Sequence, residues 1–69
     1  MRVVVTGASG NIGTSLLRAL ADEEAVTSVL GLARRRPGTE VAKTTWAAAD
    51  LVHDDLAGHF RGADVVVHL

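Results

Sequence analysis

The sequence predicts an α/β fold in which a doubly wound, parallel sheet of about four strands alternates with helices. Three observations lead to this prediction. Short apolar runs rich in β-branched residues recur along the 69 residues, and a segment with helical spacing of its leucines follows the first run. A stretch with three glycines joins the two. A strand, a glycine turn and a helix in that order are typical of parallel α/β folds.

The first two elements are a strand and an amphipathic helix. Arg2–Thr6 reads RVVVT, and such an unbroken apolar run suits a parallel strand that is covered on both faces. Apolar residues then recur at helical spacing, namely Ile12, Leu16, Leu17 and Leu20. This spacing predicts a helix over residues 11 to about 24 whose apolar face carries these four side chains.

The middle of the chain predicts two more strands joined by a loop. Residues 27–33 (TSVLGLA) return to strand character, and residues 34–39 hold the only proline and are predicted to form a loop. Residues 40–43 are expected to form one turn of helix, and residues 44–49 (TTWAAA) a third strand.

A short helix and a fourth strand complete the prediction. Asp54 or Asp55 is expected to cap a helix that runs through Phe60, with Gly62 just past its end. Residues 64–69 (DVVVHL) read as a strand. The alternation of strands and helices predicts right-handed crossovers and the strand order 3-2-1-4 of a Rossmann-like sheet.

The fourth strand also bears on whether these residues make up a complete domain. A doubly wound sheet would give this strand a further neighbour, so its three valines are expected to form an exposed apolar edge. We therefore interpret residues 1–69 as the N-terminal half of a Rossmann-like domain, incomplete as a doubly wound fold, with the rest of the domain absent.

Composition and charge exclude several classes of protein. Seven basic and eight acidic residues leave a net charge of −1, so the broad positive field of a nucleic-acid-binding protein is missing. The absence of cysteine favours a cytoplasmic protein, and no apolar run approaches the roughly 20 residues of a membrane span. His53 and His59 have no third ligand nearby, so no metal site is predicted. Trp46 and Phe60 are expected in the core.

The glycine-rich stretch predicts an anion site. Residues 6–13 read TGASGNIG, between a strand and a helix start. A helix N-terminus presents unpaired N–H groups and the positive end of its dipole, and glycines let a phosphate approach the backbone. The predicted pyrophosphate-binding residues are Gly7, Ser9, Gly10, Asn11, Ile12 and Gly13. The alternative is a purely structural turn.

The spacing of these glycines carries a family resemblance. G-x-x-G-x-x-G, with Ser9 where the commoner fingerprint has its second glycine, resembles the short-chain dehydrogenase/reductase superfamily. Its place a few residues after Met1 looks like the extended branch, which contains NAD(P)-dependent epimerases and dehydratases. The resemblance covers the whole chain but only the cofactor-binding half of such an enzyme. It implies a dinucleotide cofactor and, in the longer protein, a small-molecule substrate. A homodimer is consistent with it.

The end of the second strand bears on the choice of cofactor. Enzymes of this fold that use NAD carry a carboxylate about 20 residues after the last glycine, which binds the adenosine ribose. Here that position holds Ala33, and Arg34 and Arg35 follow. Because guanidinium groups bind phosphate, the resemblance implies NADP(H), with NAD(H) as second choice. The alternative is a solvated basic loop.

The resemblance implies roles for three further residues. Asp50 and Leu51 match the family's aspartate and aliphatic residue after the third strand, where the aspartate approaches the adenine amino group and its neighbour lies against the ring. The alternative for Asp50 is a residue that starts the next loop. Leu69 ends a strand beside the cofactor and is expected to provide apolar contact. His68 is expected to be a hydrogen-bonded core residue without a catalytic role.

The sequence carries the cofactor half of the family pattern without its catalytic half. Extended members use Tyr-x-x-x-Lys with an upstream Ser or Thr, whereas this chain has no tyrosine and a single lysine, Lys43. The resemblance implies the NADP(H)-binding segment of an epimerase/dehydratase or reductase that acts on a hydroxyl or carbonyl group, with no catalytic residue in this segment. The alternatives are a non-catalytic NAD(P) sensor on the same fold and a folding or interaction module. A Tyr-x-x-x-Lys sequence after Leu69 would distinguish the enzyme from the sensor.

Overall fold

The computed structural model describes residues 1–8, 10–35, 38, 40–49 and 57–69. Its elements in chain order are β1 (Arg2–Thr6), α1 (Asn11–Ala21), β2 (Ser28–Ala33), β3 (Thr44–Ala48), α2 (Ala57–Phe60) and β4 (Val65–His68). Every strand pair is parallel, and the sheet has the order β3-β2-β1-β4. The predicted α/β fold and strand order are therefore confirmed. No helix in these residues is long and apolar enough to cross a membrane.

The core lies on both faces of β1, which is a central strand. On the face toward α1, Val3 and Val5 belong to a cluster with Leu17 of the helix. On the opposite face, which we call the α2 face, Val4 packs with Leu32 and the half-buried Phe60. Alternate residues of a strand point to opposite faces, so the unbroken run of valines is buried on both sides.

Helix α1 differs from the prediction in its buried face and in its end. Gly13 and Leu17 are its buried residues, whereas Ile12 is 77% exposed. Helical geometry explains the difference. Successive residues of a helix lie about 100° apart around its axis, so a buried face centred on Gly13 and Leu17 turns Ile12 away from the sheet. The helix also ends at Ala21, about three residues before the predicted end. This earlier end lets the chain turn, so that Val26 enters the core at 2% exposure.

The connection between β2 and β3 corrects a second prediction. The helical turn expected over residues 40–43 is absent, because Lys43 adopts a left-handed conformation with φ of 63° and the Thr44 N–H donates to the Val41 carbonyl at 3.2 Å. Trp46 covers the sheet nearby. Its indole lies so close to Gly31 that a Cβ on Gly31 would be 2.7 Å from Trp46 Cε3. Glycine in the middle of β2 thus makes room for the aromatic ring.

The last two elements agree with the sequence where the structure describes them. Helix α2 ends at Phe60, and Gly62 follows with φ of +79°, which is the left-handed conformation expected after a helix C-terminus. The proposed caps Asp54 and Asp55 lie outside the described residues. Strand β4 forms one edge of the four-stranded sheet, where Val65 and Val66 are 40% and 45% exposed. The third valine departs from the predicted exposed edge, because Val67 is half-buried and packs against the core cluster on the α1 face.

Candidate nucleotide-binding site

The turn after β1 requires glycine at its first position. Gly7 has φ of +70°, a left-handed conformation, and a Cβ built on it would be 3.2 Å from the Leu69 carbonyl oxygen. Ala8 then enters the core at 0% exposure, and its N–H donates to the Leu32 carbonyl at 3.3 Å. These contacts hold the turn against the carboxyl ends of β2 and β4.

Helix α1 packs directly on this turn through Gly13. A Cβ on Gly13 would be only 2.6 Å from the Ala8 carbonyl oxygen, a distance that real Cβ atoms essentially never show. The obstacle is backbone, so a side chain here would push the helix away from the turn. Gly13 therefore fixes where the N-terminus of α1 points.

The N-terminus of α1 has the properties of an anion site. Gly10 is the N-cap residue and makes no side-chain cap hydrogen bond, and the first turn contains no acidic residue. The first N–H groups of a helix have no intrahelical acceptor, and the macrodipole places partial positive charge there. No neighbouring atom lies within 4 Å of a Cβ position on Gly10, so the space beside this N-cap residue is open.

These residues surround one open cleft of about 500 Å³. Its lining residues are Gly7, Gly10, Asn11, Ile12, Gly13 and Leu69. Ile12 and Leu69 are exposed and contribute apolar surface to this lining. Six of the residues predicted for cofactor binding from sequence thus lie together, while Ser9 is outside the described residues.

The remaining predicted residues lie apart from this cleft or outside the described chain. Arg34 and Arg35 follow the last residue of β2 at the carboxyl edge of the sheet, and both are exposed. Ala33, which precedes them, is buried at 5% exposure. Neither arginine lines the cleft, so a ligand must extend from the helix end across β2 to reach them. Asp50 and Leu51 are outside the described residues.

One contact at this edge was not predicted from sequence. Thr6, 2% exposed at the end of β1, has its Oγ1 atom 2.7 Å from Nδ1 of His68 in β4. The prediction that His68 is hydrogen-bonded is confirmed, but the residue is exposed and not part of the core. The only signal in the sequence for this pair is that each of the two adjacent parallel strands ends in a polar residue.

Comparison with known proteins assigns the chain to a family. Residues 3–69 match the model of the NAD dependent epimerase/dehydratase family. The chain is 41% identical to 4-hydroxy-tetrahydrodipicolinate reductase of Anaeromyxobacter sp. (strain Fw109-5), over 97% of the chain and 26% of the reductase. It is 40% identical to an uncharacterized protein of Mycobacterium tuberculosis (strain ATCC 25618 / H37Rv), over 99% of the chain and 8% of that protein.

Solved structures are similar over the whole chain. UDP-glucuronic acid 4-epimerase from Bacillus cereus in complex with NAD has a TM-score of 0.81 and 28% identity, covering 100% of this chain and 27% of the epimerase. The same enzyme in complex with UDP-glucuronic acid and NAD also has a TM-score of 0.81. The chain therefore spans about a quarter of the length of the reductase and the epimerase.

Proposed function

Because the chain belongs to the NAD dependent epimerase/dehydratase family, we propose that it is the cofactor-binding segment of an enzyme that uses NADP(H). The cleft between the glycine turn, the uncapped N-terminus of α1 and Leu69 is the observation that carries this proposal. It lies at the carboxyl ends of parallel strands beside β1, which is where sheets of this kind bind dinucleotides.

The cleft fits the pyrophosphate of a dinucleotide in charge and in space. The free N–H groups of Asn11 and its neighbours supply hydrogen-bond donors, and the helix dipole favours the negative charge. The open space at Gly10 leaves room for phosphate oxygens against the backbone. Ile12 and Leu69 then offer apolar contact to the rest of the cofactor.

The preference for NADP(H) depends on the residues after β2. A buried alanine at position 33 offers no carboxylate to a ribose hydroxyl, and the next two residues are exposed arginines. No ion pair engages the guanidinium groups of Arg34 or Arg35 within the described chain, so both are available to a 2′-phosphate. NAD(H) is the second choice, since the similar epimerase structures contain NAD.

The proposed reaction class follows from the relatives. One is a reductase by name, and the solved structures are of a 4-epimerase that binds a UDP-sugar. A nicotinamide cofactor supplies hydride transfer to and from a carbon that bears a hydroxyl or carbonyl group. The residues of this segment would bind and orient the cofactor, and we propose an epimerase, dehydratase or reductase acting on a small molecule.

Gly10→Val tests the proposed site. Gly10 has φ of −78° and ψ of 173°, an extended conformation that valine adopts readily, and no atom lies within 4 Å of the new Cβ. The fold should therefore persist while the side chain fills the cleft. We expect NADPH binding to weaken by about a hundredfold, which corresponds to the loss of one charge-assisted hydrogen bond of about 2.7 kcal/mol.

The matched control is Gly58→Val, because Gly58 also has open space around it but lies in α2, away from the cleft. Isothermal titration calorimetry with NADPH and NADH measures the affinity of each variant, and circular dichroism verifies the fold. Wild-type affinity for both cofactors in Gly10→Val would contradict the proposal.

A further inference from the structure

A second cavity lies at the opposite end of the sheet from the nucleotide-binding cleft. It has a volume of about 240 Å³ and lies on the α2 face, beside the amino ends of the strands. Arg2 of β1 and Ser28 of β2, which are register partners, lie on one side of it. His59 of α2 and Arg61 of the following turn lie on the other.

Two of the lining residues, Arg2 and Arg61, are positively charged, and His59 is also in the lining. No carboxylate of the described residues lies within ion-pair distance of any of them. The Asp64 carboxylate bonds to the backbone of β1, where its Oδ2 accepts the N–H of Arg2 at 2.8 Å. Among the described residues that line the cavity, two are arginines and none is acidic, in a chain whose net charge is −1.

The Arg2 side chain lies against the turn after α2. Gly62 has φ of +79°, and a Cβ on it would be 3.0 Å from Arg2 Nη1. The Arg2 guanidinium therefore lies over Gly62, which is the residue that follows Arg61 in the sequence. Arg2 and Arg61 both line the cavity, and two positive charges at one cavity favour an anion between them.

The other lining residues offer hydroxyl groups and apolar surface to a small organic group. The hydroxyl groups of Ser28 and Thr45 make no hydrogen bond to any described residue and line the same cavity. Val4 and Leu30 lie on the same face of the sheet and contribute apolar lining. A ligand with an anionic head and a short apolar body would contact both kinds of surface.

We propose that this cavity binds a small phosphate monoester, with the phosphate held by Arg2 and Arg61 and the organic group against Val4 and Leu30. Guanidinium groups bind phosphate oxygens in a bidentate manner, and two of them match a doubly charged head. The volume is below the roughly 300 Å³ at which drug-sized pockets begin, so a dinucleotide is excluded. This site is separate from the proposed function, because the two lie at opposite ends of the strands.

Residue-resolved NMR titrations test the proposal. The probes are inorganic phosphate, n-butyl phosphate and n-butanol, each added to the protein while amide shifts are followed. We expect saturable shifts at Ser28, Arg61 and Ala63 with both phosphates and none with butanol. Butyl phosphate should bind about tenfold more tightly than inorganic phosphate, since two buried methylene groups account for that factor.

Three arginine variants complete the experiment. Arg61→Gln and Arg2→Gln should each weaken butyl phosphate binding by about tenfold or more at this cavity. Arg18→Gln, which removes an exposed arginine from α1, is the matched control and should leave it unchanged. Phosphate shifts confined to the glycine turn, or an equal effect of all three variants, would overturn the proposal. Tighter binding of inorganic phosphate than of butyl phosphate would do the same.

Discussion

Thr6 Oγ1 and His68 Nδ1 lie 2.7 Å apart, between two residues that are register partners in β1 and β4. The residues that follow them, Gly7 and Leu69, line the candidate nucleotide-binding cleft. The Leu69 N–H also donates to the Thr6 carbonyl at 3.2 Å. This pair therefore joins the two strand ends that define one side of the cleft.

Substitutions of this pair should have unequal effects on stability. His68→Leu leaves the buried Thr6 hydroxyl with only the Val67 carbonyl at 3.4 Å, and should lower the free energy of unfolding by about 1–3 kcal/mol. Thr6→Val keeps the shape and leaves only an exposed imidazole unpaired, which water can satisfy, so it should cost less than about 1 kcal/mol. Urea unfolding measures both.

The double variant Thr6→Val with His68→Leu checks the physical reason. Once the hydroxyl is gone, replacing the imidazole no longer takes a hydrogen bond away from a buried polar group. The double variant should therefore lose less stability than the sum of the two single variants. Strict additivity would show that the two side chains do not interact in solution.

The contact between Gly31 and Trp46 predicts a large effect of one methyl group. In Gly31→Ala the new Cβ would lie 2.7 Å from the indole, so the ring or the strand must move, at a cost of about 1–3 kcal/mol. Gly38→Ala is the control, because no atom lies within 4 Å of its Cβ position. Thermal unfolding followed by circular dichroism compares the two.

A second substitution separates the indole clash from a backbone effect. Adding Trp46→Leu to Gly31→Ala removes the six-membered ring that the methyl group meets. The Gly31→Ala change should then cost less in the Trp46→Leu background than in the wild type. The same cost in both backgrounds would place the strain in the strand itself.

Lys43 is predicted to stabilise the fold through its ammonium group. Its Nζ donates to the carbonyls of Glu23 and Val26, both at 3.0 Å, in the connection between α1 and β2. Lys43→Met keeps most of the aliphatic chain and loses both bonds, so it should lower the free energy of unfolding by about 1–2 kcal/mol.

Lys43→Gly provides the comparison, since it loses the same bonds but relieves the left-handed backbone at φ of 63°. Relief of that conformation is worth about 1 kcal/mol, so the glycine variant should be more stable than the methionine variant. Chemical denaturation of both variants measures the difference. A methionine variant as stable as the wild type would show that the two hydrogen bonds contribute nothing.

The parts of the fold that sequence predicted depend on local patterns. The valine run of β1 and the glycine after it are local signals of a strand and a turn. The rules for connections in parallel α/β folds then give the strand order. The exposure of Ile12 was not predicted, because it follows from the contact of Gly13 with Ala8. The turn at Lys43 was missed for a similar reason, since its side chain bonds to residues 17 and 20 positions away.

The residues of the candidate site likewise divide into those that a local pattern predicts and those that depend on contacts between distant parts of the chain. The glycine spacing predicts the residues around the helix N-terminus because they are adjacent in the chain. The link between Thr6 and His68 spans 62 positions and depends on strand register, which no local pattern specifies. The place of Arg34 relative to a ligand depends on how far that ligand reaches across β2, so its role requires a binding measurement.

Cofactor choice is the prediction that tests Arg34. A hydrogen bond to a charged group contributes about 1.5–3 kcal/mol, so Arg34→Ala should weaken NADP(H) binding by about ten- to a hundredfold and barely change NAD(H). Arg18→Ala, on α1, is the control for the loss of one positive charge. Dissociation constants for both cofactors are measured at one fixed salt concentration, because salt screens charged contacts.

The reverse change should exchange the preference. Ala33→Asp with Arg34→Asn places a carboxylate where a free 2′-hydroxyl can donate to it and where a 2′-phosphate is repelled. Ala33 is 5% exposed, so circular dichroism must verify that the double variant folds. If the wild type prefers NAD(H), or if Arg34→Ala weakens both cofactors equally, Arg34 does not bind the 2′-phosphate. An equal loss for both cofactors would instead indicate that the guanidinium stacks on the adenine, which the two share.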